Sequence, residues 1–427
     1  MKSISTFALA AALVVGGAVV TAPFHPAEAA KKKKAEAAAT TGEAARQLVI
    51  SPAARPAMGA LDKAVKAKDK AAFDAALPAA EAAATTPDEK YFVARQRYQF
   101  ARDANDEPGQ LTALEAIIAS GGAQPSEAAS ANFNLGVKAF GASNWARAET
   151  AFTKAIELNP TDTDAMFNLG VTQLKLKKDA EALASLQRAI AGLKSANKPV
   201  PEGYYKTALQ SAFSARNPSA VALSGEVYTA YPTAENWRNS LIVFRDSVRT
   251  DEAANTDVLR LMRASKALGA RAEYYDLASS LSDAGLPGEA KAVLEEGQRA
   301  TVTPPIRTTD QQYVRIMSIV GSRLAEDRAS LAGLEGRAAS AATGRLAYRT
   351  ADAYLGYGDY AKAIALYRVA QTKGGADVDA ELVKLHLGMA LAMSGDKAGA
   401  ETALKSVTGK RAGVAQMWLN WLAHPAA

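Results

Sequence analysis

Apolar residues recur along this chain at the three- and four-residue steps that line one face of a helix, and sustained two-residue alternation between Asn-Gly or Asp-Gly turns is missing. The pattern predicts an all-α chain. Small residues impose a second order on it. Within residues 132–160, Leu135-Gly136, Ala148, Phe152, Ala155 and Pro160 form one set of markers. Leu169-Gly170, Ala182, Leu186 and Ala189 repeat that set in register, and 170 − 136 = 34. A period of this length signals stacked helical hairpins, because one hairpin cannot bury its apolar face alone. Gly136 and Gly170 lack side chains where two helices must approach, and Ala148 and Ala182 are small on the facing helix. Phe152 and Leu186 lie one helical turn further along and fill the gap between hairpins. Asn159-Pro160 closes the second helix, since proline removes a backbone donor and clashes with the preceding turn.

The combination of Leu-Gly, Ala, aromatic, Ala and Pro at these spacings resembles the tetratricopeptide repeat. That resemblance implies an α-solenoid of stacked antiparallel hairpins wound into a right-handed superhelix, acting as a scaffold for protein segments. The register continues with decay. Upstream, Ala101, Ala113, Ile117 and Pro125 fit a copy in which Pro108 sits awkwardly between helices. Downstream come Ala208, Ala220 and Pro232, then Ala278, Gly285, Ala290 and Leu294. Ala351, Tyr354, Gly358, Tyr360, Ala363, Tyr367 and Ala370 follow, and Leu387-Gly388, Gly395, Ala400 and Leu404 give one more. Around 240–267 and 311–335 the chain is amphipathic without the small markers, and regular spacing on both sides predicts degenerate hairpins there. Repeats are therefore expected over 93–410, after an Ala-rich helical pair over 56–92. The segment 411–427 puts Val414, Met417, Trp418, Trp421 and Leu422 on one face and reads as a capping helix.

The N-terminus changes the compartment expected. Met1-Lys2 precedes an apolar run over 4–22, and Ala27-Glu28-Ala29 offers the small residues of a signal-peptidase site, so 1–29 reads as a signal peptide. The expected location is exported and periplasmic. The alternative, favoured by Lys31, Lys32, Lys33 and Lys34 after the run, is an uncleaved anchor in the inner membrane. Residues 30–55 read as a flexible Lys- and Ala-rich linker, whose Lys31–Lys34 run offers weak contact with anionic envelope material. With no cysteine, disulfides, thiolate metal sites and a lipidated N-terminal cysteine are excluded. A formal net charge of +6 does not call for nucleic acid.

Enzyme motifs are absent. No dinucleotide or P-loop fingerprint, nucleophile elbow or HExxH occurs. His386 reads as a packed or half-exposed helix residue, and Glu295-Glu296 as a solvated face. Ser195 and Lys198 match an S-x-x-K pattern without its companions. No catalytic, cofactor or metal residues are expected. What remains is a surface. Three residues before each Leu-Gly glycine or its small equivalent stand Tyr98, Phe133, Phe167, Tyr205, Tyr275 and Tyr348. The family resemblance implies that this position follows the concave groove, with Asn134 and Asn168 beside it; structural packing between hairpins is the competing role. Val137 and Val171 stand where a carboxylate-gripping groove would want Asn. Arg345, Arg349, Asp352 and Asp276 make the later groove polar. The sequence thus predicts a non-enzymatic scaffold or adaptor in the bacterial envelope. An accessory subunit of an envelope-assembly or polysaccharide-export machine is the alternative, and a glycan-acting enzyme on a helical solenoid is a distant third.

Overall fold

The structure is a computed structural model that describes residues 47–424. The expected signal peptide and Lys31–Lys34 lie outside the described residues. Among the described residues there are twenty α-helices, one 3-10 turn and no strand. The chain divides into two units, residues 1–220 and 221–427.

Unit 1 contains α1 (Arg55–Ala67), α2 (Lys70–Ala83), α3 (Pro87–Asp103), α4 (Glu107–Ala119), α5 (Pro125–Gly141), α6 (Trp145–Leu158), α7 (Thr163–Lys175), α8 (Asp179–Ser195) and α9 (Glu202–Ser214). The boundary falls at the start of α10 (Ser219–Ala230). Unit 2 continues with α11 (Ala234–Ser247), α12 (Glu252–Ala264), α13 (Arg271–Asp283), α14 (Pro287–Arg299), α15 (Gln311–Ser340), α16 (Arg345–Gly356), α17 (Tyr360–Lys373), α18 (Ala380–Ser394), α19 (Lys397–Lys405), the 3-10 turn Gly409–Arg411 and α20 (Ala412–Ala423).

Each unit is a row of helical hairpins, and one short motif turns many of them. The first helix ends on a left-handed residue, and the next residue caps the second helix with its side chain. Lys68-Asp69, Asn105-Asp106, Ser143-Asn144, Gly358-Asp359 and Gly395-Asp396 all follow this plan. The left-handed slot favours glycine, and the Asp or Asn oxygen accepts a backbone N–H that the new helix cannot satisfy internally. Pro108 is comfortable for the same reason: it lies in the first turn of α4, behind the Asp106 cap, where a missing N–H costs nothing.

Within the hairpins a small residue meets a large one sixteen positions on. A Cβ on Gly136 would lie 2.7 Å from the Phe152 ring, one on Gly170 2.7 Å from Leu186, and one on Gly388 2.6 Å from Leu404. Ala101 and Ile117, Ala278 and Leu294, and Ala351 and Tyr367 are buried at the corresponding positions. The marker spacing is thus the spacing of a helix crossing, where the small side chain lets two backbones close and the large one fills the space.

Three boundaries differ from the sequence reading. The edge set at 92/93 falls inside α3, whose Thr86–Glu89 capping box starts the helix earlier. The described end of the 30–55 segment is held in place: the Val49 amide donates to Asp88 at 2.9 Å and the Ser51 amide to Glu89 at 3.0 Å. Over 311–335 there is no degenerate hairpin but one continuous 30-residue helix, α15. No proline interrupts it, and Gly321, Gly333 and Gly336 face open space instead of forming a turn. Ile316, Val320, Leu331 and Ala338 keep its inner face buried. Asp327 and Glu335 accept hydrogen bonds from Tyr357 (2.7 Å) and Tyr354 (2.9 Å) of the hairpin that follows. Over 240–267 the expected helix pair is present as α11 and α12, broken before the Asp251 cap.

The C-terminal helix, α20, carries buried Val414, Ala415, Met417 and Trp418. It packs on α18 and α19 and also reaches α12. The Tyr228 hydroxyl donates to the His424 carbonyl. Unit 2 therefore closes upon itself.

Candidate functional site

The six aromatic positions split by environment. In unit 1, Phe133 is half-buried and meets Phe152 edge-on, with ring centroids 5.8 Å apart. Phe167, also half-buried, stacks on Tyr204 of the next repeat at 3.9 Å and 12°. The Tyr204 hydroxyl donates to Asp164 at 2.9 Å, and burial together with that carboxylate raises its phenol far above the ordinary value. Tyr98 is half-buried beside the Tyr91–Leu114 cluster, and burial raises its phenol. Tyr205 is a correction: it is buried, with the Lys194 ammonium 5.5 Å from its ring centroid. Its neighbour Tyr204 takes the role assigned to it, because the first turn of α9 carries Tyr204 against Phe167.

Asn134 is exposed and Asn168 half-buried beside these rings. Each amide nitrogen donates to the carbonyl four residues back, Ser130 and Asp164, at 2.8 Å. Unit 1 thus carries half-buried rings at Phe133, Phe167 and Tyr204, with Asn134 and Asn168 following two of them in sequence.

Unit 2 departs further from the register. Tyr275 is buried and donates to Asp310 at 2.8 Å, so it is a packing residue and not a groove contact. Arg349 is exposed in a shallow depression with Thr343, Arg345, Leu346 and Asp377. Asp276 pairs at the surface with Arg245 at 2.6 Å. Tyr348 is half-buried against His386 and Tyr367, with ring centroids 5.7 and 6.2 Å away.

His386 marks a site that sequence reading passes over. Its side chain is 4% exposed, with Nδ1 2.7 Å from Asp352 and Nε2 3.1 Å from Asp257. Burial alone would lower its pKa, but the two carboxylates outweigh that and raise it to about 9. Arg260 continues the network: Nε and Nη2 clasp Glu289 at 3.0 and 2.7 Å, and Nη1 donates to Asp257 at 3.2 Å. Tyr367 donates to Asp352. Burial opposes ionisation of Asp352, yet His386 and Arg260 hold its carboxyl below the ordinary value. These contacts join α12, α14, α16, α17 and α18. Asp352, placed in an open groove by register, is instead a buried member of this network.

An Asp–His–Asp arrangement suggests acid–base chemistry, but its geometry argues against that use. Both imidazole nitrogens are committed to carboxylates, so the charged ring has no lone pair with which to accept a proton. No serine or threonine hydroxyl is among its hydrogen-bond partners. The arrangement is suited to fastening helices together, and no group of residues with metal-binding geometry occurs among the described residues.

Residues 133–197 match the family described as tetratricopeptide repeat. That segment is similar to the tetratricopeptide repeat. It spans α5 to α8 with the Phe133 and Phe167 surface, and the same glycine-to-large crossing recurs in α18–α19. No curated protein matches the chain. Among solved structures, one titled "Structure of Naa15/Naa10 bound to HypK-THB" is similar at 14% identity and a TM-score of 0.39. The alignment covers 84% of this chain and 58% of that one, so this chain spans little more than half of its length.

Proposed function

We propose that the protein is a non-enzymatic interaction scaffold that binds a segment of a protein partner on the inner side of unit 1. The tetratricopeptide repeats support a scaffold role in general. The observation that carries the finer reading is the Phe167–Tyr204 stack. It bridges adjacent repeats and stays half-exposed, and Asn134 and Asn168 follow Phe133 and Phe167 in sequence. An apolar platform of this kind suits a segment that lays side chains on the rings. Unit 2 contributes less to recognition in this reading, because Asp257, Arg260 and Asp352 are spent on one another and on His386.

The test replaces Phe133, Phe167 and Tyr204 together by Ser and measures partner capture and helicity. Lost capture with retained helicity supports the proposal. Retained capture overturns it, and lost helicity makes the rings part of the core.

For location, the apolar run over 4–22 and the Ala27-Glu28-Ala29 site support export to the periplasm as an envelope adaptor. Weak attachment of Lys31–Lys34 to anionic envelope material would accompany it. Sequencing the mature N-terminus decides: a start at Ala30 supports export, and a start at Met1 leaves the anchored form. No helix among the described residues is long and apolar enough to cross a membrane.

A further inference from the structure

We infer that α20, with the Gly409–Arg411 turn before it, is a strap that fastens unit 2 and opens separately from the hairpins beneath it. The strap is not merely a terminal cap. Helix α20 follows α19 in sequence but also packs against α12, about 160 residues earlier. The Tyr228 hydroxyl of α10 holds the His424 carbonyl at its far end, and the Trp237 ring of α11 lies 4.8 Å from the Tyr228 ring. At its near end a Cβ on Gly413 would lie 3.0 Å from the Phe244 ring. Arg411, buried in the turn, lies 3.5 Å from Asp251 and 3.6 Å from Asp379, the capping residues of α12 and α18.

This seam is apolar and tight but incompletely hydrogen-bonded. The indole N–H groups of Trp237 and Trp418 are buried without an acceptor, as is the Arg411 Nε. In the His386–Arg260 network every donor of Arg260 is used, at all three guanidinium nitrogens, and the one buried atom left without a partner is an acceptor, Asp257 Oδ2. A buried donor without an acceptor costs roughly 1–3 kcal/mol, and it recovers hydration when its surface opens. Trp418 lies on α20, Arg411 (Nη1 as well as Nε) in the turn before it, and Trp237 against the Tyr228 ring that clasps its far end, which lowers the cost of lifting that helix relative to opening a hairpin. Gly409, with φ +61°, supplies a joint at the base of the strap. Lifting it uncovers Tyr228, Trp237 and Phe244, an aromatic strip that the closed form keeps from solvent and from partners.

Hydrogen exchange on the full chain tests this. The expected result is that α20 amides exchange on the order of tenfold or more faster than those in the middle of α17, while α11 and α12 stay protected. Gly413→Leu, which drives a side chain into Phe244, should accelerate α20 exchange further without changing α17. Tyr228→Phe, which removes only the hydroxyl clasp on His424, should do so more mildly. Exchange of α20 at the rate of α17 would overturn the proposal, as would α20 and α17 accelerating equally in Gly413→Leu.

Discussion

His386 makes the stability of unit 2 depend on pH in a direction that can be worked out beforehand. Its folded pKa, about 9, stands above the ordinary 6.5. The folded state therefore holds the proton more tightly than the unfolded state does. The stabilisation is fully present below about 6.5 and is lost as pH rises through about 9. A displacement of that size corresponds to about 3 kcal/mol, and the steepest loss approaches about 1.4 kcal/mol per pH unit. The background is unusually clean, because the chain has no cysteine and only three histidines, His25, His386 and His424. The assay is urea unfolding at pH 6 and pH 9 in a Trp145→Phe background, leaving Trp237, Trp418 and Trp421 of unit 2 as reporters. The wild-type sequence should lose about 3 kcal/mol between the two, and His386→Gln should lose little. Equal stability of the wild-type sequence at both values would refute the charged, doubly bonded imidazole.

Other predictions follow from the same contacts. Arg260→Met takes the two-point clasp from buried Glu289, leaving it only Arg263 at 3.9 Å, and leaves Asp257 with His386 as its one remaining cation; it should cost unit 2 about 3–5 kcal/mol in urea melts, and a cost below about 1 kcal/mol would mean the network contributes little. Gly136→Leu should cost about 1–3 kcal/mol by crowding Phe152, whereas Gly333→Ala, facing open space in α15, should stabilise by about 1 kcal/mol. If the two variants melt alike, the crossing geometry is wrong. Ser143→Gly relieves a left-handed serine and should leave the melting point of unit 1 unchanged or slightly higher; a clear fall would mean that the serine side chain supports the turn.

Much of the fold was legible because the crossing between helices leaves a local trace. Gly136 with Phe152 and Gly388 with Leu404 are sixteen residues apart, well inside one hairpin, so a single window contains both sides of the contact. The cap pairs such as Ser143-Asn144 are also local. Helix α15 was not legible, because an amphipathic stretch without markers looks the same whether it folds as a decayed hairpin or as one helix. The absence of any proline over 311–340 was the available signal. The His386 network was beyond reach for another reason: Asp257 is 129 residues away, and only closure of unit 2 brings them together. The slip from Tyr205 to Tyr204 is smaller but instructive. Counting from Ala208 fixes the phase along α9 but not how the 196–201 connection turns that helix against α7.

The proposed recognition by unit 1 centres on Phe133, Phe167 and Tyr204. The direct measurement is in-cell photo-crosslinking from a benzophenone residue placed at Asn134 or Asn168, compared with one at exposed Thr150 on α6. The account predicts one dominant protein adduct from the two Asn positions, lost when Phe167 and Tyr204 are changed to Ser, and none from Thr150. Equal adducts from all three positions, or adducts that survive the loss of both rings, would contradict it.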